Sequence, residues 1–173
     1  MDAFPTALDV AALIRTRQAS PVEVLEESLA RVDRLNPSLN AVIWRDDEAA
    51  RAAAKEAADV VANTPVDESP PFLGVPLPIK DLSPAAGQPR TYGSFRASDE
   101  PQTEDELVVG AFRRAGFVLT GRTNTPELGP ITAAENDRYG VTRNPWNIAH
   151  TPGGSSGGAA AAVASGMFSV AHG

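Results

Sequence analysis

Thr103-Glu104-Asp105-Glu106-Leu107-Val108-Val109-Gly110-Ala111-Phe112-Arg113-Arg114-Ala115-Gly116-Phe117-Val118-Leu119-Thr120 holds one full unit of layered architecture. Thr103 and Glu106 stand three apart in the pattern of a capping box, so a helix is expected to start there. Leu107, Val108, Ala111, Phe112 and Ala115 recur at helical spacing and form its expected core face. Gly116 offers the left-handed stop that ends many helices. Residues 117–120 then read as a short buried strand. Helix, glycine, strand is the order that α/β layering produces, so we expect a mixed central β-sheet flanked by α-helices.

The chain upstream is mostly helical. Residues 7–17 place Leu8, Ala11, Ala12 and Ile14 close to one helical face. Ser20-Pro21-Val22-Glu23 is a second helix start, with serine as cap, proline at the first helical position and Glu23 closing the box. Val22, Leu25, Leu29, Val32 and Leu35 form its buried stripe, and Asn36-Pro37 is expected to stop it. A short strand over 40–44 and an alanine-rich helix over 46–62 follow, then a proline-rich loop over 64–71. Residues 73–82 are apolar enough for a buried strand, but Pro76 and Pro78 forbid a regular central ladder. Residues 83–98 read as irregular and 123–130 as a turn or short helix. Residues 167–171 read as one more strand.

Two stretches carry chemistry. Pro152-Gly153-Gly154-Ser155-Ser156-Gly157-Gly158 runs straight into an alanine-rich helix. The glycines let a ligand approach the main chain, and the free N–H groups of the helix start favour a developing negative charge. A serine here also reads as a plain N-cap. The block lacks the Lys-Ser/Thr that a phosphate loop needs after its last glycine. It fits G-x-S-x-G with Ser156 as nucleophile, yet no strand leads into it and only His172 follows. The second stretch holds Lys80, placed behind Val75, Leu77 and Ile79. Burial of its stem would favour the uncharged amine, a general base; a salt bridge to Asp81 is the competing reading.

Composition narrows the classes. Hydrophobic residues make up 42% and charged residues 21% of the 173, as in ordinary globular domains. A net charge of −7 argues against a nucleic-acid or anionic-membrane surface. With no cysteine and two histidines, disulfides are excluded and a zinc site is not expected. No apolar run reaches membrane-spanning length, and residues 1–5 do not read as a signal peptide, so a cytoplasmic protein is expected. We expect one domain, with a helical region over about 1–63 and a core part over about 72–173. Because 167–171 would be an uncovered strand, the residues read as the front part of a longer protein, exposing apolar surface around Phe168 and Val170.

Gly74-Val75-Pro76 leading to Ile79-Lys80-Asp81, then Gly121-Arg122-Thr123-Asn124-Thr125-Pro126-Glu127, Asn144-Pro145-Trp146-Asn147 and the glycine-serine block together resemble the amidase signature family. The resemblance extends over essentially the whole chain. It implies a Ser–Ser–Lys triad with Lys80 as base and Ser155 as the bridging serine, held at a non-proline cis peptide. Gly153, Gly154, Ser156 and Gly157 would shape the site or touch substrate. The nucleophilic serine and oxyanion-hole amides would follow Gly173, leaving the fold incomplete and these residues inactive alone. The implied reaction is hydrolysis of a small-molecule amide without metal or organic cofactor. The alternatives are an amidotransferase A-type subunit of the same family, or a catalytically inactive fragment serving as a binding module. Association into homo-oligomers is left open.

Overall fold

The computed structural model describes residues 4–173; residues 1–3, the start of the stretch read as lacking a signal peptide, lie outside them. Helix α1 (Ala7–Arg15) carries a capping box between Thr6 and Asp9 and buries Val10, Ala11 and Ile14. Leu8, expected inside, is 69% exposed, because Val10 rather than Leu8 shares the inner face with Ile14. Helix α2 (Pro21–Leu39) has the expected box, with Ser20 accepting from Glu23 N and Glu23 accepting from Ser20 N. It does not stop at Pro37. The proline's missing N–H removes a single bond, and the helix runs on to Asn40, whose φ of 51° makes the left-handed cap. Asn36 folds back to accept from Ala41 N and Val42 N and to donate to Val42 O, which aims the chain into strand β1 (Val42–Arg45).

Helix α3 (Asp47–Asn63) is capped by Asp46 and packs on α2 through Leu25, Leu29, Ala50 and Ala54. Strand β2 (Pro76–Lys80) is wholly buried. Helix α4 (Leu107–Arg114) leads by Gly116, φ +93°, into strand β3 (Val118–Thr123), as the opening stretch predicted. The second capping box does not form. Asp105 accepts instead from Ala86 N and Arg113 Nε, which pins the helix start to the preceding loop. The core face turns accordingly: Val109 is buried and Phe112 half-buried, while Leu107 is 90% exposed.

The sheet order is β1-β3-β2, with β1 antiparallel and β2 parallel to β3. β2, α4 and β3 therefore make a βαβ unit. The prolines of β2 are tolerated because that strand pairs with β3 alone, and the pairing slips between Leu77 and Ile79. Val118 packs with α2 and α3 and its neighbour Leu119 with the α4 cluster, so helices cover both faces. Of residues 123–130, Thr123 closes β3 and the rest form turns and irregular chain rather than a helix. A two-stranded ribbon, β4 (Glu135–Asn136) with β5 (Gly140–Val141), precedes helix α5 (Gly157–Ala164).

Residues 167–171 are not a strand. His172 N donates to Pro78 O at 3.0 Å, beside the free edge of β2. Phe168 is 2% exposed, packed with Met167, Val32 and Ala162, and Val170 is half-buried against two apolar clusters. The expected exposed patch there is thus filled by α2 and α5. Among the described residues, no helix is long and apolar enough to cross a membrane.

Candidate active site

The end of β2 and the start of α5 meet at one point. Lys80, 8% exposed, extends its Nζ to 2.8 Å from Ser155 Oγ and 2.7 Å from Ser156 Oγ. Burial lowers its pKa from the ordinary lysine value of 10.5. Among the described residues no carboxylate pairs with it. The salt bridge to Asp81 is not made, because Asp81 accepts from Thr91 N, Thr91 Oγ1 and Gly93 N.

The peptide between Gly154 and Ser155 is cis. Neither serine acts as a side-chain cap: Ser156 is the first residue before α5, but its hydroxyl is held by Lys80. No strand leads into the block, so the nucleophile-elbow geometry is absent. The glycines fit tightly. A Cβ on Gly154 would lie 2.9 Å from Ala133 N, and one on Gly157 would lie 2.5 Å from Ala134 Cβ. Gly153, at φ +87°, has open space beside it, and its carbonyl accepts from Ala134 N. Segment 132–134 is therefore clamped against the serines.

Asn124, at the end of β3, joins these parts. Its N–H donates to Ala41 O and its carbonyl accepts from Gly158 N, which fixes the helix start to the sheet. Its side chain donates to Gly140 O and Thr142 Oγ1 and accepts from Thr125 N and Asn136 Nδ2. A Cβ at Gly158 would fall 2.3 Å from Asn124 N, so only glycine permits this contact.

Sequence reasoning singled out Lys80 and the serines, and the fold brings them together. It missed Arg122, wholly buried in β3, whose guanidinium donates to Pro89 O and Ser83 O at 2.7 Å each. An arginine just past an apolar run was the available signal. The expected strand ended at Thr120, so Arg122 fell outside it. Arg122 Nη1 also lies 3.5 Å from Lys80 O, and burial brings its pKa down to about 10.

A family model described as Amidase matches residues 23–173. The chain belongs to the amidase family. It is 38% identical to a putative amidase of Synechocystis sp., over 97% of this chain and 33% of that protein. It is 40% identical to an acylamidase of Rhodococcus erythropolis, over 97% of this chain and 35% of that one. The structure of 6-aminohexanoate cyclic dimer hydrolase complexed with substrate superposes with a TM-score of 0.88 at 39% identity, covering all of this chain and 34% of that one. The chain thus spans about a third of the length of the amidases it matches.

Proposed function

We propose that these residues supply the base and proton relay of an amide hydrolase. Lys80, uncharged, draws a proton through Ser155 from a nucleophilic serine on a segment outside the 173 residues. That serine adds to the amide carbonyl, the C–N bond breaks, and the Lys80 ammonium returns its proton through Ser155 to the leaving amine. Water then cleaves the acyl ester over the same relay, giving the carboxylic acid. Ser156 steadies the lysine, and Gly153, Gly154 and Gly157 let segment 132–134 close against the relay. The 173 residues form part of one domain, with a helical region over about 1–63 and a core part over about 72–173, and are inactive without the remainder.

The carrying observation is the Lys80 head group, held by two hydroxyls with no carboxylate bonded to it among the described residues. Hydroxyls both donate and accept, so they serve the amine in either protonation state. Membership of the amidase family supports the reaction class. In the full-length enzyme, Lys80→Ala and Ser155→Ala should each abolish hydrolysis of a short-chain acyl p-nitroanilide while leaving the fold intact by circular dichroism. Near-wild-type turnover in either would refute the assigned roles.

A further inference from the structure

Lys80 and Ser155 stand 75 positions apart in the chain, so their 2.8 Å contact depends on whatever ties the two segments together. The sheet places the lysine, which pairs in register with Thr123 of β3. Asn124, the next residue along, is wholly buried and holds the glycine-serine block at both ends. At the leaving end its backbone carbonyl accepts from Gly158 N at 3.1 Å. At the entering end the hold runs through its side chain. The amide donates to Thr142 Oγ1 at 2.9 Å and to Gly140 O at 3.1 Å. Thr142 N donates to Ala134 O at 2.9 Å, and Ala134 N to Gly153 O at 3.1 Å. The cis peptide between Gly154 and Ser155 follows at once.

The amide has one orientation only. Its oxygen accepts from Thr125 N at 3.0 Å and from Asn136 Nδ2 at 2.8 Å, so both its acceptor sites and both its donors are used. A flipped amide would set its oxygen against the Gly140 carbonyl and its N–H groups against the Thr125 and Asn136 donors. Asn40 grips the same ribbon a second time, its Nδ2 donating to Tyr139 O and its carbonyl accepting from Thr142 Oγ1, both at 2.7 Å.

We propose that Asn124 is a positioning residue for the relay: its side chain anchors the β4–β5 ribbon, and through Thr142, Ala134 and Gly153 the ribbon keeps Ser155 within proton-passing distance of Lys80. This rests on the reading of Lys80 and Ser155 as base and relay. The four bonds of the amide all go to other residues, so it acts on the relay through the backbone rather than by contact.

The test is the steady-state kinetics of the full-length enzyme with a short-chain acyl p-nitroanilide, with the folded fraction followed by circular dichroism. Asn124→Ala should lower kcat by about 10²-fold, the scale of a misplaced catalytic group, while KM stays within about twofold. Thr142→Val cuts one link of the same path and should cost about tenfold in kcat. Thr142→Ser keeps the hydroxyl and should keep the rate. A merely structural role would lower the urea midpoint and leave kcat per folded molecule at the wild-type value, which would overturn the proposal. A loss confined to KM would overturn it too, as would a Thr142→Ser enzyme as slow as Thr142→Val. Should Asn124→Ala fail to fold, Thr142→Val and Thr142→Ser decide by the same outcomes. Failure of the underlying reading looks different, since Lys80→Ala or Ser155→Ala would then remain active whatever Asn124→Ala does.

Discussion

Two buried cations stand on neighbouring strands of the same sheet, and their surroundings set opposite fates. Arg122, opposite Ile79 in the ladder, points at backbone carbonyls. Lys80, one position on and opposite Thr123, points at hydroxyls. A carbonyl can only accept, so it demands a donor and suits a guanidinium that is charged at neutral pH. A hydroxyl can turn its proton toward an amine lone pair or away from an ammonium, and so tolerates both states. Burial depresses both pKa values, yet only the lysine can lose its proton without orphaning its partners. One cation fastens the fold; the other is held by groups that serve it in either protonation state.

The sharpest way to break that contrast is to make the two alike. Lys80→Arg in the full-length enzyme keeps a donor near the serines but cannot shed its charge, so kcat should fall by about 10³-fold, within the usual worth of general-base catalysis. Lys80→Met should fall as far, which would show that hydrogen bonding to the serines without a titratable amine is worthless. A substantial residual rate in Lys80→Arg would mean that the charge, rather than the base, is what the site needs.

The converse change at Arg122 should act on stability first. Arg122→Met leaves the carbonyls of Pro89 and Ser83 buried without a donor, at an expected cost of about 2–4 kcal/mol in urea unfolding. Arg122→Lys should fall between, because a single ammonium cannot fork to both carbonyls. If Arg122→Met were as stable as wild type, the guanidinium would not be the fastening we take it to be.

Where sequence and structure agree, the determinants are local. The Ser20–Glu23 box, the Leu25–Leu29–Val32 stripe and the Gly116 stop each depend on residues a few positions apart, and each forms as read. Where they part, a distant group has intervened. The Thr103–Glu106 box gives way to Asp105, which pins the start of α4 through Ala86 and Arg113, and Lys80 draws Ser156 from an N-cap role. Asp81 is taken from the adjacent lysine by Thr91 and Gly93. Such competitions are settled by tertiary neighbours that spacing alone does not reveal. Lys80 and the serines were legible because residue type and the recurring family blocks marked them. Arg122 was not, because its significance lies in carbonyls brought from elsewhere in the chain.

The same contrast predicts a smaller effect, in the pH dependence of stability. Burial lowers the folded pKa of Lys80 beneath 10.5, so between those two values the unfolded chain holds a proton that the folded chain lacks. Unfolding then takes up a proton, and raising the pH favours the folded state until the window closes at 10.5. The cost of burying the ammonium is fully present below the folded pKa and disappears above the window. Arg122 behaves likewise at the alkaline end, its pKa brought down by burial to about 10, so its own titration begins before the Lys80 window closes at 10.5. Urea midpoints of the full-length protein should therefore rise as the pH approaches about 10, below the titration of Arg122, and Lys80→Met should flatten that rise. An unchanged slope in Lys80→Met would mean that the lysine keeps its proton in the folded protein, and the contrast between the two cations would fall with it.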